Sequence, residues 1–299
     1  MECKRIVLYI ATALAAFGMA SCSDGTTAID DPADGIGVPA RFVMRRAGNM
    51  AQAPTADFAK GDQTGLFVTL ADAPLQVGGN VVNNEPLTFD GSEWTATKKL
   101  YWDDGTYNIY AYCPYIKSVS SIEDQPFSVC LDQSTERTAT TPGGYEASDL
   151  LYASAKGVAA SDEPVALTYR HIMSKLTIRL IKGEDFEGEM PTQATVYVHS
   201  TVTDATIDLQ VGAATRAVRG SRHTITAHHD GDNIYSAIVV PQRIDNRMPL
   251  IEVVMKNISY LYESKFQFKP GMEHLVNLII PNNPDNITIE IGGDTKKWE

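Results

Sequence analysis

The chain is poor in cysteine, in basic charge, in long apolar runs and in helical periodicity, and each shortage removes a class of protein. Four cysteines in 299 residues are too few for a small disulfide-stapled scaffold. Lys and Arg total 25 against 37 Asp and Glu, a net charge of -12, and no basic cluster offsets it. Such a surface repels a phosphate backbone, so nucleic acid is not an expected partner. After the first twenty residues no apolar run approaches the roughly 20 residues that a membrane-spanning helix needs. Catalytic signatures are also missing: there is no G-x-S-x-G, Walker loop, G-x-G-x-x-G, H-E-x-x-H or C-x-x-C. The sequence therefore points to no enzyme and no cofactor.

What the chain does have is apolar material, at 43% against 21% charged, enough to build a packed core of one or two domains. Lys4 and Arg5 precede an apolar stretch from Ile6 to Ala20 that ends in the small residues Ala20 and Ser21 before Cys22. This is the pattern of a secretory signal peptide over 1–21. Cys22 after Met19, Ala20 and Ser21 fits a lipidation site, since an acyl chain contributes about 0.8 kcal/mol of membrane affinity per buried methylene. Met19 stands where such sites usually carry leucine, so ordinary cleavage without lipid is the alternative. Residues 22–40 are rich in Asp, Gly, Thr and Pro and read as a flexible tether. Cys113 and Cys130 remain in the exported part, free to stay as thiols or to pair.

From residue 41 onward, short apolar-alternating runs bounded by Gly, Pro, Asn and Asp recur throughout. Leu176, Ile178 and Leu180 alternate with Lys175, Thr177 and Arg179, as in a strand with one face on a core. Strands at such spacing, with no intervening helices, predict an all-β fold of two sandwich domains, 41–160 and 161–299, divided in the polar stretch before Pro164. The candidates for chemistry fare poorly. His223, His228, His229, Asp230 and Asp232 could approach a metal, but His228 and His229 are adjacent and so face opposite ways in a strand, and Asp230-Gly231-Asp232 reads as a hairpin turn. No metal site is expected. Asp103 and Asp104 before Gly105 read as a solvated turn. The aromatics Trp94, Tyr101, Trp102, Tyr107, Tyr110, Tyr112 and Tyr115 suit a β core, with a sugar-binding groove as the alternative. Arg45-Arg46-Ala47 at the start of the fold is a dibasic step followed by small residues, a candidate site of proteolytic processing, with Arg41 as an alternative.

Several stretches together resemble the fimbrillin family, the pilin, anchor and tip proteins of the Bacteroidota. They are WTATKKLYWDDGTYNIYAYCP from Trp94 to Pro114, DLLYA from Asp149 to Ala153, YRHIMSKLTIRL from Tyr169 to Leu180, VVPQ from Val239 to Gln242, and FKPGMEHLVNL from Phe268 to Leu278. The resemblance implies two tandem transthyretin-like sandwiches, delivery to the outer membrane as a lipoprotein, and assembly with other fimbrial subunits after an arginine-specific protease removes the first strand. Here that cut would follow Arg46 and release Arg41 to Met44 with it. A donated strand would then fill the opened groove, and copies of the chain are expected to polymerise head to tail by such donation. The donor expected from this chain is Ile287-Thr288-Ile289-Glu290-Ile291, whose isoleucines share one face at period two. A monomeric glycan-binding, tip or anchor lipoprotein is the rival reading, and the receptor is not legible.

Overall fold

The computed structural model describes residues 37–48, 58–191, 193–290 and 295–299. Cys22, the signal segment and Ile291 lie outside the described residues. Those described form an almost purely β protein, as the alternation predicts, with one short helix, Gly144–Ser148, and a 3-10 turn, Pro284–Asn286. Residues from Gly37 to Glu299 cluster as one body.

The amino-terminal half is built on a seven-stranded sheet. Its order is Phe42–Arg46, Val165–His171, Leu151–Ala159, Thr106–Cys113, Gln63–Leu70, Val82–Phe89 and Trp94–Ala96. Val165–His171 lies beyond the division expected at residue 160, yet it pairs with Leu151–Ala159, Arg170 opposite Tyr152 and His171 opposite Leu151. The central strands are unusual in being buried on both faces. In Gln63–Leu70, Leu66 and Val68 enter one apolar core while Phe67 enters another. Thr106–Cys113 divides the same way: Ile109 and Ala111 belong to the first core, and Tyr110 and Tyr112 to the second. Two buried faces explain why these strands read as continuous apolar runs, since neither parity of residues meets water.

Gly65 sits where that packing is tightest. A Cβ there would fall 2.6 Å from the Tyr112 ring and 2.7 Å from Asn84 Oδ1, so only glycine lets the ring cross the strand. The Tyr112 hydroxyl donates to Asn84 Oδ1 at 2.6 Å, giving the buried phenol its partner.

Among the described residues the carboxy-terminal half carries four more sheets, one of them the two-stranded pairing of Gln242–Ile244 with Phe266–Phe268. In one of the other three, Ser174–Lys182 runs between Ile234–Val239 and Met272–Ile280, the latter pairing parallel, and Met272–Ile280 in turn holds Thr288–Glu290 and Lys296–Lys297. A second joins Arg222–Thr226, Thr195–Val202, Pro249–Met255 and Ile258–Glu263. Leu176, Ile178 and Leu180 of the first and Val196, Val198, Ile251 and Val253 of the second all lie in one apolar core, as the period-two pattern requires. In the third, Gln125–Ser128 pairs with Asp204–Asp208, so segments from both halves share a sheet.

Candidate functional site

The residues that set this fold apart from an ordinary stack of sheets are the first ones described. Phe42–Arg46 is the edge strand of the seven-stranded sheet and runs parallel to Val165–His171, with Phe42 opposite Val165 and Arg46 opposite Tyr169. Backbone bonds fix both ends: the Val165 N–H donates to the Arg41 carbonyl at 2.9 Å and the Ala47 N–H to the Tyr169 carbonyl at 2.7 Å. The Arg41 guanidinium donates to the Asp162 carbonyl. Just upstream, Val38–Pro39 pairs instead with Tyr101–Trp102, and the Ala40 N–H donates to the Leu100 carbonyl at 2.9 Å. Ten residues thus tie two sheets together through one segment.

Period two puts Phe42, Met44 and Arg46 on the same side, each with its own seat. Phe42 meets Trp102 edge-on, ring centroids 6.1 Å apart. Met44 is 1% exposed, and the Tyr169 hydroxyl approaches its Sδ at 3.5 Å while lying 2.6 Å from Thr64 Oγ1. Burial pushes the Tyr169 phenol well above its ordinary pKa, so it stays a neutral hydrogen-bonding group. Arg46 lies over the Phe58 ring at 5.2 Å and forms an ion pair with Asp149 Oδ2 at 3.8 Å.

Asp149 follows the short helix and is 7% exposed. Its other oxygen meets His171 Nδ1 at 2.7 Å, and the His171 ring stacks on Trp298 with centroids 3.7 Å apart and planes 9° apart. Trp298 is held in turn by its N–H to the Gly271 carbonyl at 3.0 Å. A cleft of about 230 Å³ opens among Arg46, Ala47, Tyr145, Lys175, Trp298 and Glu299. Gly48, at φ +94°, passes so close to Glu299 that a Cβ would stand 2.6 Å from Glu299 Cβ. The residues marked by sequence for processing, Arg46 and Ala47, therefore sit at the end of a paired strand, against the last residues of the chain.

The proposed donor segment is also paired. Ile289 lies opposite Leu278, and Ile287 and Ile289 pack partly buried on the carboxy-terminal core. Nearby, Glu273 accepts from Lys296 Nζ at 3.0 Å and from Thr177 at 2.8 Å, with Lys175 at 3.4 Å. Its burial works to raise the pKa, but these cations and the hydroxyl outweigh that and leave it below the ordinary value.

The sequence candidates for chemistry disperse. His228 Nε2 approaches Asp230 at 3.8 Å, whereas His229 bonds the Asp232 carbonyl at 2.9 Å and stacks on Tyr235. Among the described residues no three His, Cys, Asp or Glu side chains gather as a metal set. The Asp103 carbonyl accepts from the Tyr107 hydroxyl at 3.0 Å in a turn. Trp102, Tyr107, Tyr110 and Tyr112 are core residues, and of the aromatic set only Tyr101 is exposed. Cys113 and Cys130 are both free thiols. Sequence reasoning did not anticipate Asp149, His171 and Trp298 as one group; a buried acid and histidine within the resembling stretches was the available signal.

A family model described as fimbrillin-like matches residues 49–298. The chain belongs to the fimbrillin-like family. Among curated proteins it is similar to Fim1C of Bacteroides ovatus, named there as a fimbrium tip subunit, at 29% identity over 160 residues. That match spans 48% of this chain but only 29% of the relative's length. Two solved structures described as cell adhesion proteins share the fold. One, from Bacteroides uniformis, has a TM-score of 0.65 at 20% identity, covering 88% of this chain and 99% of its own. The other, from Bacteroides ovatus, has a TM-score of 0.65 at 18% identity, covering 88% and 98%.

Proposed function

We propose that this fimbrillin-like chain is a fimbrial subunit of the cell surface, assembled by exchange of its first strand. In this reading the exported precursor is anchored in the outer membrane through Cys22, and an arginine-specific protease cuts between Arg46 and Ala47. The released segment vacates its place beside Val165–His171, and a strand from another fimbrial subunit takes it. The observation that carries the reading is the Phe42–Arg46 edge strand, held by a parallel ladder and two inward side chains and ending at the dibasic step. Its loss would leave the backbone groups of residues 165–169 that face it unpaired and the seats of Phe42 and Met44 open. Strand addition satisfies both at once, main chain for affinity and alternate side chains for specificity.

The donor contributed by this chain is Ile287, Ile289 and Ile291, acting on the groove of a neighbouring subunit. Donor and acceptor lie on different surfaces, so the contact is head-to-tail and can extend as a fibre. The glycan-binding alternative loses its main support, because the aromatics that would have lined a groove are mostly core residues.

The test is to treat the purified chain with an arginine-specific protease and follow intact mass, apolar-dye binding and electron microscopy. A product beginning at Ala47, with a rise in dye binding that a donor peptide or a partner subunit reverses, supports the reading. A chain cut there with unchanged melting temperature and no dye binding would refute it.

A further inference from the structure

The seat of Phe42–Arg46 has three positions, and the third is not apolar. Phe42 stands against Trp102 and Met44 is enclosed beside Tyr169, but Arg46 faces Asp149 Oδ2. Asp149 is 7% exposed, and its Oδ1 is already engaged by His171. The other charges lining the adjoining cleft do not replace Arg46: Lys175 is bound to Glu273 at 3.4 Å, and Glu299 adds a second negative charge. Cutting after Arg46 removes the guanidinium and leaves a new α-ammonium on Ala47, which starts beside the Tyr169 carbonyl at the cleft's edge, so the Asp149 oxygen that Arg46 faced is left toward the vacated seat without a cationic side chain.

We infer that this seat selects a donor strand of the form apolar-x-apolar-x-basic, carried by a fimbrial subunit other than this chain. The inference rests on the strand-exchange reading above and adds what the partner must look like. A strand that laid an apolar side chain over Asp149 would bury its Oδ2 without a cationic side chain, whereas Lys or Arg at that position restores the pair. The parallel register fixes which residue that is: the fifth, opposite Tyr169, when the first apolar residue lies opposite Val165. This chain's own tail does not meet the requirement. Four positions after Ile287, Ile289 and Ile291 stand Ile291, Gly293 and Thr295. Self-addition in these registers would put isoleucine, glycine or threonine on Asp149, and no cation.

The experiment uses the full chain cut after Arg46, with fluorescein-labelled ten-residue peptides exchanged into the seat and followed by anisotropy. The probes are the released sequence from Gly37 to Arg46, the same peptide with Arg46→Lys or Arg46→Ile, and a peptide of the chain's own residues 285–294. The Arg and Lys peptides are expected to bind about tenfold more tightly than the Ile peptide and the tail peptide. In the Asp149→Asn chain, checked for fold by circular dichroism, that preference should collapse. Equal binding of the Arg and Ile peptides to the unsubstituted chain, or a preference that survives Asp149→Asn, would overturn the inference while leaving strand exchange intact. Failure of every peptide after a verified cut would overturn the groove reading, and this inference with it.

Discussion

Replacing Met44 by alanine in the uncut chain should make the Arg46–Ala47 bond far easier to cut without comparable loss of global stability. Met44 is 1% exposed and lies on a strand whose one ladder partner among the described residues is Val165–His171. Truncation to alanine removes most of a buried thioether side chain and leaves a void beside Tyr169, costing about 2 to 3 kcal/mol. The strand is at an edge, so that cost is borne by its local detachment more than by unfolding of the sheets behind it. Cleavage needs this detachment, because the Ala47 N–H is bonded to the Tyr169 carbonyl and Arg46 lies along Phe58. When closing is fast relative to cutting, the rate follows the open population, so it should rise roughly 30- to 150-fold. The assay is the initial rate of appearance of the Ala47 terminus in native buffer, normalised to a short peptide spanning the same bond. A rate within twofold of the parent, alongside a clearly lowered melting temperature, would mean that Met44 supports the body of the fold and does not gate the strand.

Three further outcomes follow from the same contacts. Ile289→Asp should abolish addition to a partner subunit yet lower the melting temperature by only a few degrees, because Ile289 is partly exposed in its own chain; undiminished assembly measured by light scattering would move the donor elsewhere. Glu273 has a folded pKa below its ordinary value of 4.5, so the stability it lends to Lys296–Lys297 is present above that value and lost as pH falls through the folded pKa. The protection factor of the Trp298 amide against hydrogen exchange, corrected for the intrinsic rate at each pH, should therefore fall on acidification in the parent and be less pH-dependent in Glu273→Gln, and identical profiles would dismiss the linkage. Burial pushes the Cys113 thiol up to about 12, so iodoacetamide at pH 8 should leave Cys113 unmodified until the chain unfolds; rapid native labelling seen by mass spectrometry would contradict the packing.

Alternation made the strands of the carboxy-terminal half legible in the sequence, because Leu176, Ile178 and Leu180 face one core and the residues between them do not. The amino-terminal sheet was harder to read. Leu66, Phe67 and Val68 are all buried, so period two has no polar parity to reveal it, and only the turn residues around the run give it away. Through the family resemblance, residues up to Arg46 were expected as a first strand ending at a candidate processing point, but the strand's partner was not legible. That partner lies some 120 residues away, and parallel pairing of distant segments leaves no local mark. The group around Asp149 was hidden for the same reason. Arg46, His171 and Trp298 come from four separate stretches when Asp149 is counted with them, and only the fold brings them together.

That distribution bears on how a detachable strand can be built. Under the strand-exchange proposal, a strand to be removed must be stable enough to keep the sheet closed beforehand, yet its loss must not unfold what remains. Phe42–Arg46 meets both needs by concentrating its hold on few contacts. Met44 fills a seat whose walls, Tyr169 and Thr64, are tied to each other and to the Tyr112 carbonyl through hydrogen bonds that do not involve the strand. The His171–Asp149 contact likewise does not need Arg46. The walls of the seat are held by their own partners, so under the strand-exchange proposal the groove would keep its shape when the occupant goes, and the replacement strand would be chosen by the positions the occupant leaves behind.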